Sequence, residues 1–163
     1  MRYQLREKWF AVGDDFVVND ANGNRAFYID GKVLRLRKTL VVEDAGGAEV
    51  AVIRKRLLAL GTTYDIEIAG EQAATIHKKH FTLFREKFTI DVPGPDDFLA
   101  VGNFTDHEYQ FTRGGAEVAW VSRRWFSLTH TYGIEVADER DAVLIIASAV
   151  VIDMCLHDEK DDD

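Results

Sequence analysis

Alternating apolar and polar residues occupy most of the chain in short runs, separated by residues that favour turns. Asn22-Gly23, Asp30-Gly31, Gly46-Gly47 and Gly114-Gly115 are the clearest of these turn signals. Alternation with a period of two, bounded by such signals, is typical of antiparallel strands. The pattern predicts a mainly β protein with about a dozen strands, near residues 3–10, 14–19, 25–30, 32–42, 49–57, 62–69, 72–80, 86–92, 98–104, 107–113, 116–124 and 129–137.

One segment departs from this alternation. Residues 142–152 read AVLIIASAVVI and are bounded by Asp141 and Asp153. At about 1.5 Å per residue, a helix of this length covers only about half of a roughly 30 Å hydrocarbon core, so the segment predicts a buried helix rather than a membrane span. A helix that is apolar on nearly every side must be surrounded. We therefore expect a closed antiparallel barrel that encloses this helix, with Asp138 as its N-cap and its end near Leu156.

An internal repeat supports the barrel. Residues 47–69 and 115–137 align without a gap and match at 12 of 23 positions, and residues 70–92 form a weaker third copy. Each copy has the character of a hairpin, and repeated hairpins build a barrel economically. We expect one domain over residues 1–157, followed by a disordered acidic tail over 158–163.

Composition narrows the classes of function. The formal net charge of −8 disfavours general attraction to nucleic acid or to an anionic membrane, so any anion site must be local. The single cysteine, Cys155, has no partner for a disulfide within the chain, and the N-terminal sequence has no apolar signal region. These features predict a cytoplasmic protein, and the acidic composition leaves a halophilic source as a hypothesis.

Catalytic and metal-binding motifs do not emerge from the sequence. It contains no dinucleotide-binding glycine motif, no phosphate-binding loop and no Cys-x-x-Cys spacing, so we expect no cofactor. His77 and His80 are three apart in a predicted strand and would face opposite sides, which disfavours a metal site. Cys155 is expected to be a buried structural residue. Asp153 and His157, four apart on the helix, are expected to form a polar pair at the mouth of the barrel, with a proton switch as the alternative. We do not expect an enzyme.

Basic clusters are the strongest candidates for a binding site. They include Arg35, Arg37 and Lys38, together with seven residues at equivalent positions of the repeat: Arg54, Lys55, Arg56, Lys78, Lys79, Arg123 and Arg124. Equivalent positions of repeated hairpins recur at similar heights, so these seven would converge on a rim that faces a phospholipid headgroup, another phosphorylated ligand or a nucleic-acid backbone. The alternative is that they only blunt strand edges and pair with Glu49, Glu67, Glu117 and Glu135.

Aromatic and apolar residues accompany the clusters: Trp120, Trp125, Phe126, Leu57, Leu58 and Phe81. Rings beside arginines suit a membrane–water boundary. Strand alternation favours the other interpretation, in which many of these side chains face inward and fill the barrel.

The whole pattern resembles the LURP-one-related family. The resemblance rests on Trp9-Phe10, Asn22-Gly23, the repeated hairpin, residues 123–127 (RRWFS) and the apolar helix that ends in residues 152–157 (IDMCLH). It implies a fold similar to the C-terminal domain of tubby proteins and to phospholipid scramblases, which is a twelve-stranded barrel around a central helix. Tubby domains bind phosphoinositides, but fold kinship alone does not fix function.

Two hypotheses for function follow. The first is a non-enzymatic binding module whose basic rim recognises an anionic ligand, with phospholipid headgroups foremost, in a cytoplasmic protein peripheral to the membrane. The second is a protein-interaction or scaffold domain. A small-molecule cavity inside the barrel is disfavoured because the helix should occupy the lumen.

Overall fold

A computed structural model describes residues 1–8, 15–32, 39–56, 63–79, 87–94, 96–125 and 131–161. Within them lie twelve strands and one α-helix. The strands are β1 Arg2–Lys8, β2 Asp15–Asn19, β3 Arg25–Lys32, β4 Thr39–Asp44, β5 Glu49–Lys55, β6 Thr63–Ile68, β7 Glu71–Lys79, β8 Lys87–Asp91, β9 Phe98–Asn103, β10 Glu108–Arg113, β11 Ala116–Ser122 and β12 Thr131–Val136; the helix is α1, Ala142–Asp161.

The strands form one closed barrel in chain order, and every strand is antiparallel to both neighbours. β1 closes the sheet against β12, with Arg2 opposite Glu135 and Arg6 opposite Thr131. Closure leaves no strand edge unpaired along the barrel. The expected fold class, a closed antiparallel barrel with a C-terminal helix, is confirmed.

Predicted strand limits agree with the structure within about two residues, with one exception. The predicted strand over residues 32–42 begins in the structure at Thr39 and continues to Asp44, while β3 extends to Lys32. The expected turn at Asp30-Gly31 does not form. Both residues belong to β3, where they lie opposite Val41 and Leu40 of β4. Residues 33–38 lie outside the described residues.

The two ends of the barrel differ in character. At the turn end, short connections over residues 20–24, 45–48, 69–70, 92–97 and 114–115 join the strands, and residues 137–141 lead into the helix. At the rim end, β5, β7, β9 and β11 terminate and β6, β8, β10 and β12 begin. The connection between β9 and β10 at the rim end is a turn over residues 104–107.

The helix occupies the lumen. A single 3-10 turn, Glu139–Asp141, precedes it and is capped by the Asp138 carboxylate, which accepts a hydrogen bond from the Arg140 backbone N–H. Eleven consecutive residues, 145–155, are each at most 4% exposed. Since successive residues turn by about 100°, eleven buried positions cover every side of the helix. The strands therefore enclose it completely over this length.

The helix ends later than expected. It continues to Asp161, five residues beyond Leu156, so residues 158–161 extend the helix instead of starting a tail. Glu and Lys are good helix formers, and the helix ends at the rim end, opposite its start. Residues 162–163 lie outside the described residues.

Candidate functional site

The seven basic residues expected to form a site all lie at the rim end, and we call them the basic rim: Arg54, Lys55, Arg56, Lys78, Lys79, Arg123 and Arg124. They occupy the last positions of β5, β7 and β11 or the residues that directly follow. These strands run in the same direction because an odd number of antiparallel strands lies between them, one between β5 and β7 and three between β7 and β11. The strand order distributes the basic rim around the barrel, since β5 and β11 are six positions apart in a ring of twelve.

Two arginines of the basic rim are held in ion pairs on the outer wall. The Arg54 guanidinium Nη1 lies 2.6 Å from a Glu67 carboxylate oxygen. Arg56 donates two hydrogen bonds to Asp65, from Nε at 2.7 Å and from Nη2 at 2.8 Å. Both arginine side chains remain 40–44% exposed, so each keeps N–H groups that face solvent. The expected cross-strand partner Glu67 is thus in place, and Asp65 is a partner that strand alternation did not single out.

The Arg56–Asp65 pair belongs to a small polar network. Thr75 donates to Asp65 through its hydroxyl, and the Gln72 amide donates to both. Hydrogen bonds from Arg56 lower the pKa of the Asp65 carboxyl, with Thr75 adding to the effect against the opposing influence of burial. The same pairing raises the pKa of Arg56. The network fixes the end of β5 against β6 and β7.

Arg123 and Arg124 are exposed at a chain reversal after β11. The Glu108 carboxylate organises this reversal by accepting hydrogen bonds from the Ser122 hydroxyl at 2.7 Å and from the Arg123 backbone N–H at 3.1 Å. The Arg124 side chain is 85% exposed, with Nε 3.8 Å from Glu108. Arg123 forms no ion pair with any residue that the structure describes. These two arginines are the most accessible cations of the basic rim for which side chains are described.

The other members of the basic rim are placed by the backbone. Lys55 is the last residue of β5, and Lys78 and Lys79 end β7, opposite Phe88 and Lys87 of β8. Their neighbour His77 lies with Nε2 3.1 Å from Asp91. The further basic residues Arg35, Arg37 and Lys38 lie outside the described residues.

Carboxylates occur at both ends of the barrel. At the turn end, the connections and adjoining strand positions carry Asp20, Asp44, Glu49, Glu71, Asp96, Asp97, Asp138, Glu139 and Asp141. The arginines there are partly neutralised, since Arg140 pairs with Asp138 at 2.7 Å and Arg113 lies 3.7 Å from Asp141. The rim end has the seven cations of the basic rim, together with Asp106, Glu108 and the helix residues 158–161 (DEKD).

A buried polar contact also lies at the rim end, and sequence reasoning missed it. His107, in the turn between β9 and β10, places Nε2 2.9 Å from Oδ1 of Asp153 on the helix. Asp153 was expected to pair with His157, whose side chain lies outside the description. The two partners are 46 residues apart. No local spacing rule connects residues at that distance, so only the barrel topology reveals the pair.

The aromatic residues divide between two surroundings. Trp120 lies on the outer face of β11 and is 44% exposed, so it is not among the residues that fill the barrel. Trp125 is half-buried and packs under the Arg2 guanidinium, which lies 4.4 Å from its ring centroid. Phe126, Leu57, Leu58 and Phe81 lie outside the described residues.

The described residues show neither a metal-binding cluster nor a membrane-spanning helix. Across the described ranges, no three His, Cys, Asp or Glu side chains converge as a metal site would require. None of the described helical segments combines the length and apolar character needed to cross a bilayer. Cys155 is buried within the helix at 3% exposure.

Comparisons with known proteins agree on the architecture. A family profile described as LURP-one-related matches residues 1–153. The chain is similar to an uncharacterized Bacillus subtilis protein, YxjI, with 33% identity over 61 residues, which are 37% of this chain and 38% of that protein. A crystal structure of an Arabidopsis thaliana protein superposes with a TM-score of 0.66 at 15% identity, covering 94% of this chain and 91% of that one. At this identity the structural likeness concerns the fold.

Proposed function

This chain belongs to the LURP-one-related family, and we propose that it is a non-enzymatic binding domain that recognises an anionic ligand through the basic rim. Phospholipid headgroups are the ligand class we favour. The protein would then be cytoplasmic and peripheral to the membrane. The observation that carries the proposal is that three strands, β5, β7 and β11, end at the same end of the barrel in clusters of basic residues, of which Arg123 and Arg124 are exposed.

Locally clustered cations would allow an acidic protein to approach an anionic surface. With a net charge of −8, a uniformly charged molecule would be repelled. The exposed cations of the basic rim would bring the rim end to the surface first. Each Lys or Arg near an anionic membrane contributes about 1 kcal/mol, so the seven residues of the basic rim are sufficient in number for reversible binding.

The filled lumen restricts how a lipid could bind. Residues 145–155 of the helix occupy the interior, and Cys155 is buried among them. Along this buried stretch of the described helix, the lumen is filled and does not offer an acyl chain the space that open barrels do. Recognition would involve the headgroup at the rim end, where Arg123 and Arg124 present guanidinium groups suited to phosphate oxygens. The phosphoinositide binding of tubby domains, which the family resembles in fold, agrees with this choice.

Co-sedimentation with vesicles tests the proposal. The full chain is mixed with vesicles of phosphatidylcholine alone or of phosphatidylcholine with phosphatidylserine or a phosphoinositide, at low and physiological ionic strength. We expect the anionic vesicles to pellet the protein, with binding that weakens as salt rises. If a soluble inositol phosphate displaces the protein from the vesicles, the protein recognises the headgroup itself. If it does not, the protein recognises the charged membrane surface.

Two matched variants locate the binding end. The double variant Arg123→Glu and Arg124→Glu removes two exposed cations from the rim end, whereas Arg25→Glu and Arg140→Glu make the same change in net charge at the turn end. We expect the first variant to lose binding by roughly tenfold or more and the second to retain it. Equal pelleting with neutral and anionic vesicles, or equal loss in both variants, would contradict the proposal.

A further inference from the structure

A groove on the outer wall of the barrel borders the basic rim at Arg124. It lies where β11, β12 and the start of β1 meet, and its volume is about 650 Å³. Its lining includes two indoles, three carboxylates and one arginine: Trp120, Trp125, Glu117, Glu135, Glu108 and Arg124. Trp120 is one of two large hydrophobic side chains that are exposed among the described residues. An exposed indole beside carboxylates has the composition of a binding surface rather than of a solubilising one.

A β-bulge creates this arrangement. Phe111 of β10 lies opposite Ala119, but the next residue, Thr112, lies opposite Glu117, so Val118 is an extra residue in β11. In a regular strand, residues three apart face opposite sides of the sheet. The bulge places Glu117 on the same outer face as Trp120, and both line the groove. Without Val118, Glu117 and Trp120 could not act on one ligand.

The groove already holds one cation from its own chain. The Arg2 guanidinium carbon lies 4.4 Å from the centroid of the Trp125 ring, and its Nη2 lies 3.1 Å from a Glu135 oxygen. This is a cation–π contact combined with an ion pair. Trp120 and Glu117 provide the same pair of groups beside it, an indole and a carboxylate. Glu117 forms no ion pair with any residue in the described ranges.

We propose that the groove binds an arginine-bearing segment of a partner protein, whose guanidinium stacks on Trp120 and pairs with Glu117. Arginine is preferred to lysine because its planar group stacks on an indole face while its N–H groups reach a carboxylate. Charge complementarity favours a basic partner, since Arg2 pairs with Glu135 and Arg124 lies beside Glu108, whereas Glu117 forms no ion pair with any described residue. The groove shares Arg124 with the basic rim, but its ligand would contact Trp120 and Glu117, so the proposal does not rest on the proposed function.

The indole N–H signal of Trp120 in the NMR spectrum reports on the groove directly. The full chain, labelled with ¹⁵N, is titrated with the peptide Gly-Arg-Gly-Arg-Gly and with the same peptide in which neutral citrulline replaces arginine. The Trp120 indole N–H signal is identified by its loss in Trp120→Phe. We expect a saturable shift of this signal with the arginine peptide and a much weaker response to the citrulline peptide.

Two variants of equal charge separate the groove from general acidity. Glu117→Gln should weaken binding of the arginine peptide by roughly threefold or more. Glu49 is an exposed carboxylate at the turn end, and Glu49→Gln should leave the affinity for the peptide unchanged. Thermal melts should be the same for both variants because both residues are exposed. An unresponsive Trp120 signal, equal binding of both peptides, or equal weakening by both variants would overturn the proposal. A dimer in light scattering that Trp120→Phe abolishes would also overturn it, by assigning the groove to a second copy.

Discussion

The His107 imidazole joins the wall of the barrel to its central helix through a hydrogen bond from Nε2 to Asp153, 2.9 Å long. A carboxylate only accepts hydrogen bonds, so this contact assigns the proton to Nε2. The His107 ring also stacks on Tyr132, with centroids 4.6 Å apart. Asp153 is 4% exposed within an otherwise apolar stretch. The pair therefore fixes the height of the helix within the lumen, because any axial shift would separate the buried Asp153 carboxylate from the partly buried His107 ring.

Removing one partner should destabilise the fold. Asp153→Ala is expected to lower the free energy of unfolding by about 1–3 kcal/mol, because the partly buried His107 donor is left without this acceptor. Asp153→Asn should lose less stability, because its amide oxygen can still accept the hydrogen bond from His107. Urea denaturation measures both. Wild-type stability in Asp153→Ala would show that the contact does not support the helix.

Acid sensitivity should reveal the Arg56–Asp65 pair. Hydrogen bonds from Arg56 hold the pKa of Asp65 below its usual 3.8. Because folding lowers this pKa, the pair stabilises the protein at pH values above 3.8 and its contribution is lost as the pH falls through the lower, folded-state pKa. Arg56→Met should cost up to about 1 kcal/mol near neutral pH, the range for partly exposed pairs.

The control for this prediction is Arg25→Met at the turn end. Unfolding free energies are measured by urea titration at a series of pH values. The difference between wild type and Arg56→Met should shrink toward acid, while that for Arg25→Met should stay small throughout. A difference for Arg56→Met that does not change with pH would contradict the assigned role of Asp65.

The close approach of β9 and β10 requires glycine at position 102. A Cβ atom there would lie 2.6 Å from the Glu108 carbonyl oxygen and 2.6 Å from the Tyr109 Cα, at a φ of +149°. Gly47 is a matched control, because its φ of +83° is also positive but no atom lies within 4 Å of its added Cβ. Alanine should cost about 1–3 kcal/mol at either position through backbone strain.

At position 102, the added Cβ would also push β10 away from β9, and this displacement adds to the backbone strain. Gly102→Ala should therefore melt at a lower temperature than Gly47→Ala. Equal melting temperatures would mean that the two strands separate without cost.

The barrel could be predicted from the sequence because its two signals are local. Residues 142–152 are apolar on every side, and alternation with a period of two runs between turn signals elsewhere, so helix and strands follow from short-range patterns. The sequence also indicated that the residues of the basic rim lie at one end of the barrel, because the repeat shows which residues end each strand. Its distribution around the barrel depends on strand order, which the pattern does not specify.

The remaining site features depend on register and on contacts between distant segments. The bulge at Val118 changes which residues of β11 share a face with Trp120, and nothing in the local alternation marks it. His107 and Asp153 meet only because the β9–β10 turn lies beside the end of the helix. Asp65 became the partner of Arg56 through a pairing between neighbouring strands. Each of these is a tertiary relationship.

The enclosed helix is the central claim, because a filled lumen directs every ligand to the outside of the barrel. Full burial of each aliphatic side chain contributes about 1.5–3 kcal/mol, so the buried residues of the helix together exceed a typical net stability of about 5–15 kcal/mol. The direct measurement is the thermal melt, by circular dichroism, of the chain that ends at residue 141. We expect the shortened chain to show no cooperative transition and a spectrum without folded β-structure. A cooperative melt close to that of the full chain would show that the barrel stands without its helix, and would contradict the account.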